Sequence, residues 1–284
     1  MSNYKYSRVK GKVIVPTVSY LILIFFSILV LIPVLWMVVT ALKTPLETMN
    51  TPPTWIPKDP SLGSFGRLWQ DYPFGSFFRN SVIIVFFSMV VSVFFACLAG
   101  YGVSRFKFRG KKFMTTFILI TQMFPSVMLL VPFYSVINQL KLINTHLGLI
   151  IVYISFTIPF STWMMIGFFK SLPLELDEAA RIDGCTVWQT FWRVVLPLTL
   201  PGIASTCIYS FITSWNEYMF AFILTNSPDM RTLSVGIAEL NGFQQILWND
   251  MMAASLIASI PLIMLFIFLQ KYFISSLTAG AVKG

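Results

Sequence analysis

Charge is scarce in this 284-residue chain: 11% of its residues are Asp, Glu, Lys or Arg, against roughly 25% in a soluble domain. Histidine occurs once and cysteine three times. His146 has no second histidine to pair with around a metal, and beside a turn it reads as a solvated polar residue and not as a base. Cys97, Cys185 and Cys207 are scattered, so they give neither a metal spacing nor a disulfide framework. There is no Gly-x-Ser-x-Gly elbow for a nucleophile. There is also no Gly-x-x-x-x-Gly-Lys-Ser/Thr loop, since Gly11-Lys12 and Gly110-Lys111 lack the rest of it. Without that phosphate cradle the polypeptide is not expected to hydrolyse ATP, and no catalytic or metal-binding residue is assigned. No internal repeat or low-complexity segment is present.

Apolar residues fill the space: 56% of the chain is hydrophobic and the mean hydropathy is +0.77. Uncharged runs cover 13–42, 80–104, 113–140, 142–169, 194–216 and 251–270. Each reaches the ~20 residues that cross ~30 Å of hydrocarbon as a helix. The expected fold is therefore an all-α integral membrane protein with six transmembrane helices. The first run is too long for a cleaved signal and ends without Ala-x-Ala, so it reads as an uncleaved span. Only Lys141 divides the third and fourth runs, which predicts a hairpin turning at Asn138–Asn144. Fourteen of the 20 Lys and Arg residues fall on one side of this arrangement, in 1–12, 105–112, 170–193 and after 270. The positive-inside rule then puts both termini and segment 170–193 in the cytoplasm. The net charge of +9 follows from that asymmetry. These basic residues hug span ends, which points to a lipid bilayer and not to nucleic acid.

Segment 171–197, SLPLELDEAARIDGCTVWQTFWRVVLP, is the polar exception. Ser171 suits an N-cap and Pro173 a first turn. Leu172, Leu176, Ala179 and Ala180 would share one face of a short helix, with Glu175, Asp177, Glu178 and Arg181 outside it. Gly184 tolerates the positive φ that ends such a helix. Thr186 and Gln189 form a capping box for a second helix with the stripe Val187, Trp188, Phe191, Trp192 and Val195. Pro197 is expected to stop that helix. Together these make a helix–Gly–helix elbow that another protein can grip.

The elbow resembles a family signature. Glu178-Ala179-Ala180, Gly184 and Leu196-Pro197 match the cytoplasmic loop of permease subunits in binding-protein-dependent ABC importers, with Val194 where the pattern has Ile. Trp215-Asn216-Glu217 and the ending with Gly280, Lys283 and Gly284 are similar to carbohydrate-uptake, maltose-transporter-type permeases. The resemblance covers the chain from about Asn80 to its end. It implies a type I ABC importer permease fold in a bacterial or archaeal cell membrane. It also implies that 171–197, including Asp183, is a coupling loop for ATPase subunits, and that the tail touches an ATPase. A second homologous permease, two ATPases carrying ATP and Mg, and an extracytoplasmic sugar-binding protein are the implied partners, with no cofactor on this chain itself.

On this reading residues 1–79 hold the N-terminal segment, the first span and an outer loop, and 80–284 form a five-helix permease core. The outer loop 43–79 has six prolines and excludes long regular helix; it either meets a soluble partner or lies on the membrane surface, as does 226–250. Glu217 is an ionisable residue in an apolar stretch. With Asn216 it belongs to a translocation path or gate, or else it anchors a helix end at the headgroups. The competing functions are the same machine for a non-sugar solute, an ion-coupled secondary carrier, and a purely structural membrane protein. The carrier would call for repeated halves and mid-membrane carboxylates.

Overall fold

Residues 3–240 and 247–281 are described in the computed structural model, with side chains described for 18–240 and 247–272. Among these residues every regular element is helical. In α1 (Asn3–Ala41) all positions from 18 to 35 are exposed. A continuous apolar surface of that size is what lipid covers. Two short helices, α2 (Pro45–Thr48) and α3 (Gly63–Gln70), lead to the long α4 (Phe74–Arg105). Next come α5 (Lys111–Thr121), a 3-10 turn at Ser126–Leu129, α6 (Leu130–Gln139) and α7 (His146–Ser171). A broken stretch holds α8 (Glu175–Ile182), α9 (Val187–Thr190), a π turn at Phe191–Val195, and α10 (Leu196–Leu198). The remainder is α11 (Leu200–Trp215), α12 (Met219–Leu224), α13 (Leu233–Glu239) and α14 (Trp248–Ala281).

Four helices are long and apolar enough to cross a membrane unbroken: Val18–Ala41 within α1, then α4, α7, and Trp248–Tyr272 within α14. Two bent pairs bring the number to six if each is one broken span. Lys111–Thr121 meets Ser126–Gln139 at 96°, and Val187–Leu198 meets Leu200–Trp215 at 77°. The first bend contains Pro125, which has no N–H to continue the ladder. The second falls at Thr199, between Pro197 and Pro201. Contrary to the expectation from the sequence, Pro197 does not stop the elbow helix, which continues to Leu198. The π turn ahead of it shifts the hydrogen-bond register, so that Leu196 N bonds Phe191 O before the proline's missing donor matters.

Contacts divide the chain into two units, residues 1–70 with 240–257 and residues 71–239 with 258–284. In the first, buried Asp250 accepts from Arg67 Nη2 at 2.5 Å and Nε at 3.1 Å. Neighbouring Asn249 donates to Ser64 Oγ at 3.0 Å and Lys43 O at 3.3 Å. Glu47 accepts from Thr54 Oγ1 at 2.9 Å and Lys58 N at 3.0 Å. Burial works against the charge on Glu47. The Lys58 N–H, the Thr54 hydroxyl and the Lys43 and Lys58 charges nevertheless hold its carboxyl below the usual range. The proline-rich loop is thus stapled by side chains, with only short helices, as its prolines require.

In the second unit α4 runs against α7 and α11. Small polar residues allow the close approach: Ser92 and Thr157 hydroxyls lie 2.6 Å apart, and Ser88, Ser161 and Ser210 are fully buried. Such seams are how membrane helices pack when no hydrophobic drive separates protein from lipid. Ile84, Leu149, Val152, Tyr153, Phe220 and Leu224 form one apolar cluster. Val93, Ala96, Tyr101, Met165, Phe169, Phe191 and Val195 form another. The α6–α7 hairpin turns where the sequence placed it, with Lys141 and Asn144 at φ 58° and 59°. Thr145 Oγ1 caps α7 by accepting from Gly148 N at 3.1 Å.

At Gly100 α4 comes close to the backbone of α7. A Cβ there would sit 2.8 Å from Met165 Cβ and 3.1 Å from Met165 backbone carbon. Gly100→Val is expected to cost about 1–3 kcal/mol through overpacking, read as a lowered thermal unfolding midpoint of the detergent-solubilised protein. A variant melting with the wild type would contradict this contact.

Candidate functional site

The elbow begins later than its sequence suggested. Ser171 ends α7 and its hydroxyl donates to Phe168 O at 2.7 Å, so it caps nothing downstream. Helix α8 starts at Glu175 behind Leu174, which leaves Pro173 outside it. The inward face also differs. Asp177 and Ala180 are buried while Ala179 is exposed. The reason is a charge pair: Arg105 Nε lies 2.9 Å from Asp177 Oδ2, with side chains 4% and 6% exposed. Tyr101 Oη donates to Asp177 Oδ1 at 2.9 Å, and Arg105 Nη1 donates to Leu172 O at 3.2 Å. A carboxylate turns inward when a guanidinium and a hydroxyl are waiting for it. Sequence reading missed Tyr101 and Arg105 because they end another helix. Its available signal was the spacing of Asp177, Ala180 and Gly184, which places the carboxylate on the small-residue face.

The turn itself follows the local chemistry. Gly184 has φ +81° and a Cβ there would meet no heavy atom within 4 Å, so glycine answers to the backbone angle and not to crowding. Thr186 N donates to Gln189 Oε1 at 2.8 Å and Gln189 N to Thr186 Oγ1 at 3.3 Å, closing the capping box. The second helix does not bury its whole stripe. Phe191 and Val195 go into the core while Val187, Trp188 and Trp192 stay exposed, as suits a helix with protein on one flank and lipid on another. Glu178, Ala179, Arg181, Ile182, Asp183 and Gly184 then form one exposed surface; Ile182 is 85% exposed. Leu196 is half-buried and Pro197 exposed.

A second site lies where helices break. Gln122, Phe124 and Ser126 from the α5–α6 bend face Asn216, Glu217, Tyr218 and Phe220 from the α11–α12 break. With Phe156, Tyr209 and Thr213 they line a cavity of about 550 Å³. Phe156 stacks on Phe220 with centroids 5.9 Å apart and planes at 20°. Glu217 is half-buried. Its carboxylate accepts from Phe220 N at 2.8 Å, Ala221 N at 3.0 Å and Tyr153 Oη at 2.9 Å. Its own carbonyl accepts from Ser234 Oγ at 2.6 Å. The carboxylate thus satisfies free N–H groups at the start of α12. Asn216 is exposed beside it.

His146 is less solvated than the sequence suggested: Nε2 lies 2.9 Å from Asn80 Oδ1. Asn80 is buried and donates to Asp229 O at 2.7 Å and Arg231 O at 3.0 Å. Among the described residues no group of three His, Cys, Asp or Glu is placed to hold a metal. Of the tail residues, Gly280 lies in the backbone of α14, and Lys283 and Gly284 lie outside the described residues.

A family model described as binding-protein-dependent transport system inner membrane component matches residues 92–278. The chain is 36% identical over 264 residues to the trehalose/maltose transport system permease protein MalG of Thermococcus litoralis, covering 92% of this chain and 94% of that one. It is 33% identical over 255 residues to the diacetylchitobiose uptake system permease protein DasC of Streptomyces coelicolor, covering 89% and 91%. Its fold is similar to a chain in the crystal structure of a bacterial ABC transporter involved in the import of the acidic polysaccharide alginate. That match has a TM-score of 0.77 at 23% identity, over 93% of this chain and 98% of that chain.

Glu217→Ala would release two backbone N–H groups and the Tyr153 hydroxyl, each costing about 1–3 kcal/mol where water does not replace the bond. A clear fall in unfolding temperature and in membrane level is expected. Glu217→Gln should lie between the two, because its amide keeps one acceptor oxygen of two. An alanine variant as stable as wild type would remove this capping role.

Proposed function

The chain belongs to the inner membrane components of binding-protein-dependent transport systems, and on that premise we propose that it is a permease subunit of an ATP-driven ABC importer for a sugar. It forms half of the translocation pathway, and a second, homologous permease forms the other half. The observation that carries this reading is the exposed elbow surface, Glu178 to Gly184, presented by a six-span body. Two ATPase subunits, holding ATP and Mg, dock there from the cytoplasm. The basic residues crowding that side of the spans support a cytoplasmic elbow and cytoplasmic termini. An extracytoplasmic binding protein delivers the solute, in keeping with the family's description. The setting is the cytoplasmic membrane of a bacterial or archaeal cell. The tail, with Gly280, Lys283 and Gly284, is proposed as a further ATPase contact.

A sugar is favoured by the relatives named for trehalose, maltose and diacetylchitobiose uptake and by the lining of the cavity. Sugar rings pair an apolar face with a rim of hydroxyls. Phe124, Phe156 and Tyr218 offer aromatic faces, and Gln122 and Asn216 offer amides beside them. A cleft of this size falls within the roughly 300–1,000 Å³ that small ligands occupy. Closure of the ATPase dimer draws the two elbows together, and the helices carry that motion to the pathway, exposing it to each side in turn.

The test is uptake of labelled saccharide into vesicles holding this chain, its partner permease, the ATPases and the binding protein. Uptake that needs internal ATP is expected. Uptake that persists without the ATPases, or follows an ion gradient, would replace this reading with a secondary carrier. Gly184→Val places a β-branched residue at φ +81°, a strain of about 1–2 kcal/mol. It is expected to insert normally but to lose most uptake through a misshapen elbow. Wild-type uptake with fully docked ATPases would show that the turn's shape is not needed.

A further inference from the structure

We propose that Tyr101, Arg105 and Asp177 form the joint through which force on the elbow reaches helix α4, as positioning residues separate from the docking surface. The proposal rests on the reading of the elbow as an ATPase dock and adds where the force goes next. Three parts of the elbow converge on the last turn of α4. Asp177 of α8 is held by Arg105 and Tyr101. The linker out of α7 is held at Leu172 O by Arg105. The second elbow helix is held by Phe191, whose ring centroid lies 4.9 Å from that of Tyr101, while Phe169 of α7 lies 5.7 Å away. Asp177 points away from the exposed surface, so an ATPase that gripped Glu178, Ala179 and Ile182 would leave the joint untouched. A pull on α8 must then either move α4 or strand opposite charges in a site closed to water.

The far end of α4 is fastened as well. Asn80 donates to Asp229 O and Arg231 O, and Ser81 Oγ accepts from Leu233 N at 2.7 Å. Helix α4 spans 32 residues without interruption, about 48 Å at 1.5 Å per residue. By contrast α5–α6 and the elbow–α11 path are bent by 96° and 77°. Helix α4, unbroken and fastened at both ends, is therefore able to carry a displacement from the elbow to the segment 229–233. Loss of the joint should leave the dock intact while weakening that transfer.

The experiment uses the assembled complex in vesicles and reads saccharide transported per ATP hydrolysed, with membrane level and co-purified ATPase measured alongside. Asp177→Asn keeps the size and can still accept from Tyr101, but loses the charge pair. It is expected to retain its ATPases while transport per ATP falls about fivefold or more. Tyr101→Phe should give a smaller loss in the same ratio. The exchanged pair Arg105→Asp with Asp177→Arg should recover part of what either single change loses. An unchanged ratio in Asp177→Asn overturns the proposal. So does a transport loss that merely follows lost protein or lost ATPase, which is what a structural role alone would produce. Failure of the wild-type chain to bind an ATPase would instead overturn the functional reading on which the joint depends.

Discussion

Arg105 and Asp177 bring opposite charges to 2.9 Å in a site that leaves both side chains almost wholly unexposed. Burying such a pair gains little net stability, yet removing one partner of it typically costs about 3–5 kcal/mol, because the other charge is left alone. The pair thus acts less as glue than as a condition: with α8 packed on α9 and the π turn, Asp177 either meets Arg105 at the end of α4 or is buried without its counter-charge. The inward turn of Asp177, the seating of Phe191 on Tyr101 and the outward display of Glu178 and Ala179 all follow from it. An elbow carried on flexible linkers would have the same exposed residues and no defined direction in which to be pushed.

The two kinds of helix in this chain divide the work. α4 and α7 are continuous and joined along a seam of small polar residues and glycine. The bent pair α5–α6 and the break between α11 and α12 leave backbone groups free, and non-helical backbone at membrane depth is tolerated only where protein or a water-filled cavity meets it. Here the breaks meet each other around one cavity. Glu217 makes one of them affordable by accepting from the first N–H groups of α12. Its cost as an ionisable group among apolar residues is offset by three donors. A carboxylate at that position therefore both shapes the wall of the cavity and faces into it.

Much of this was legible in the sequence, and the limits have a physical cause. Six uncharged runs were visible because hydrocarbon thickness imposes a length on any span. The capping box at Thr186 and Gln189 and the positive φ at Gly184 were visible because both are local. The bends near Pro125 and Thr199 were not, since an apolar run reads the same whether its axis is straight or turned through 96°. The inward face of Asp177 was hidden because its partners end a different helix. Likewise Glu217 was seen as an intramembrane carboxylate, but Tyr153, which bonds it, lies 64 residues away, and no periodicity links the two.

The central claim is that the elbow and α4 move as one body during the transport cycle. Pulsed electron–electron resonance tests it most directly. One spin label is placed on native Cys185 in the elbow and one on α4 at Phe95→Cys, with Cys97 and Cys207 replaced and the complex assembled with its ATPases. The distance distribution should be the same without nucleotide and with ATP bound. A shift between the two states would show that the elbow slides on α4, and would contradict the account.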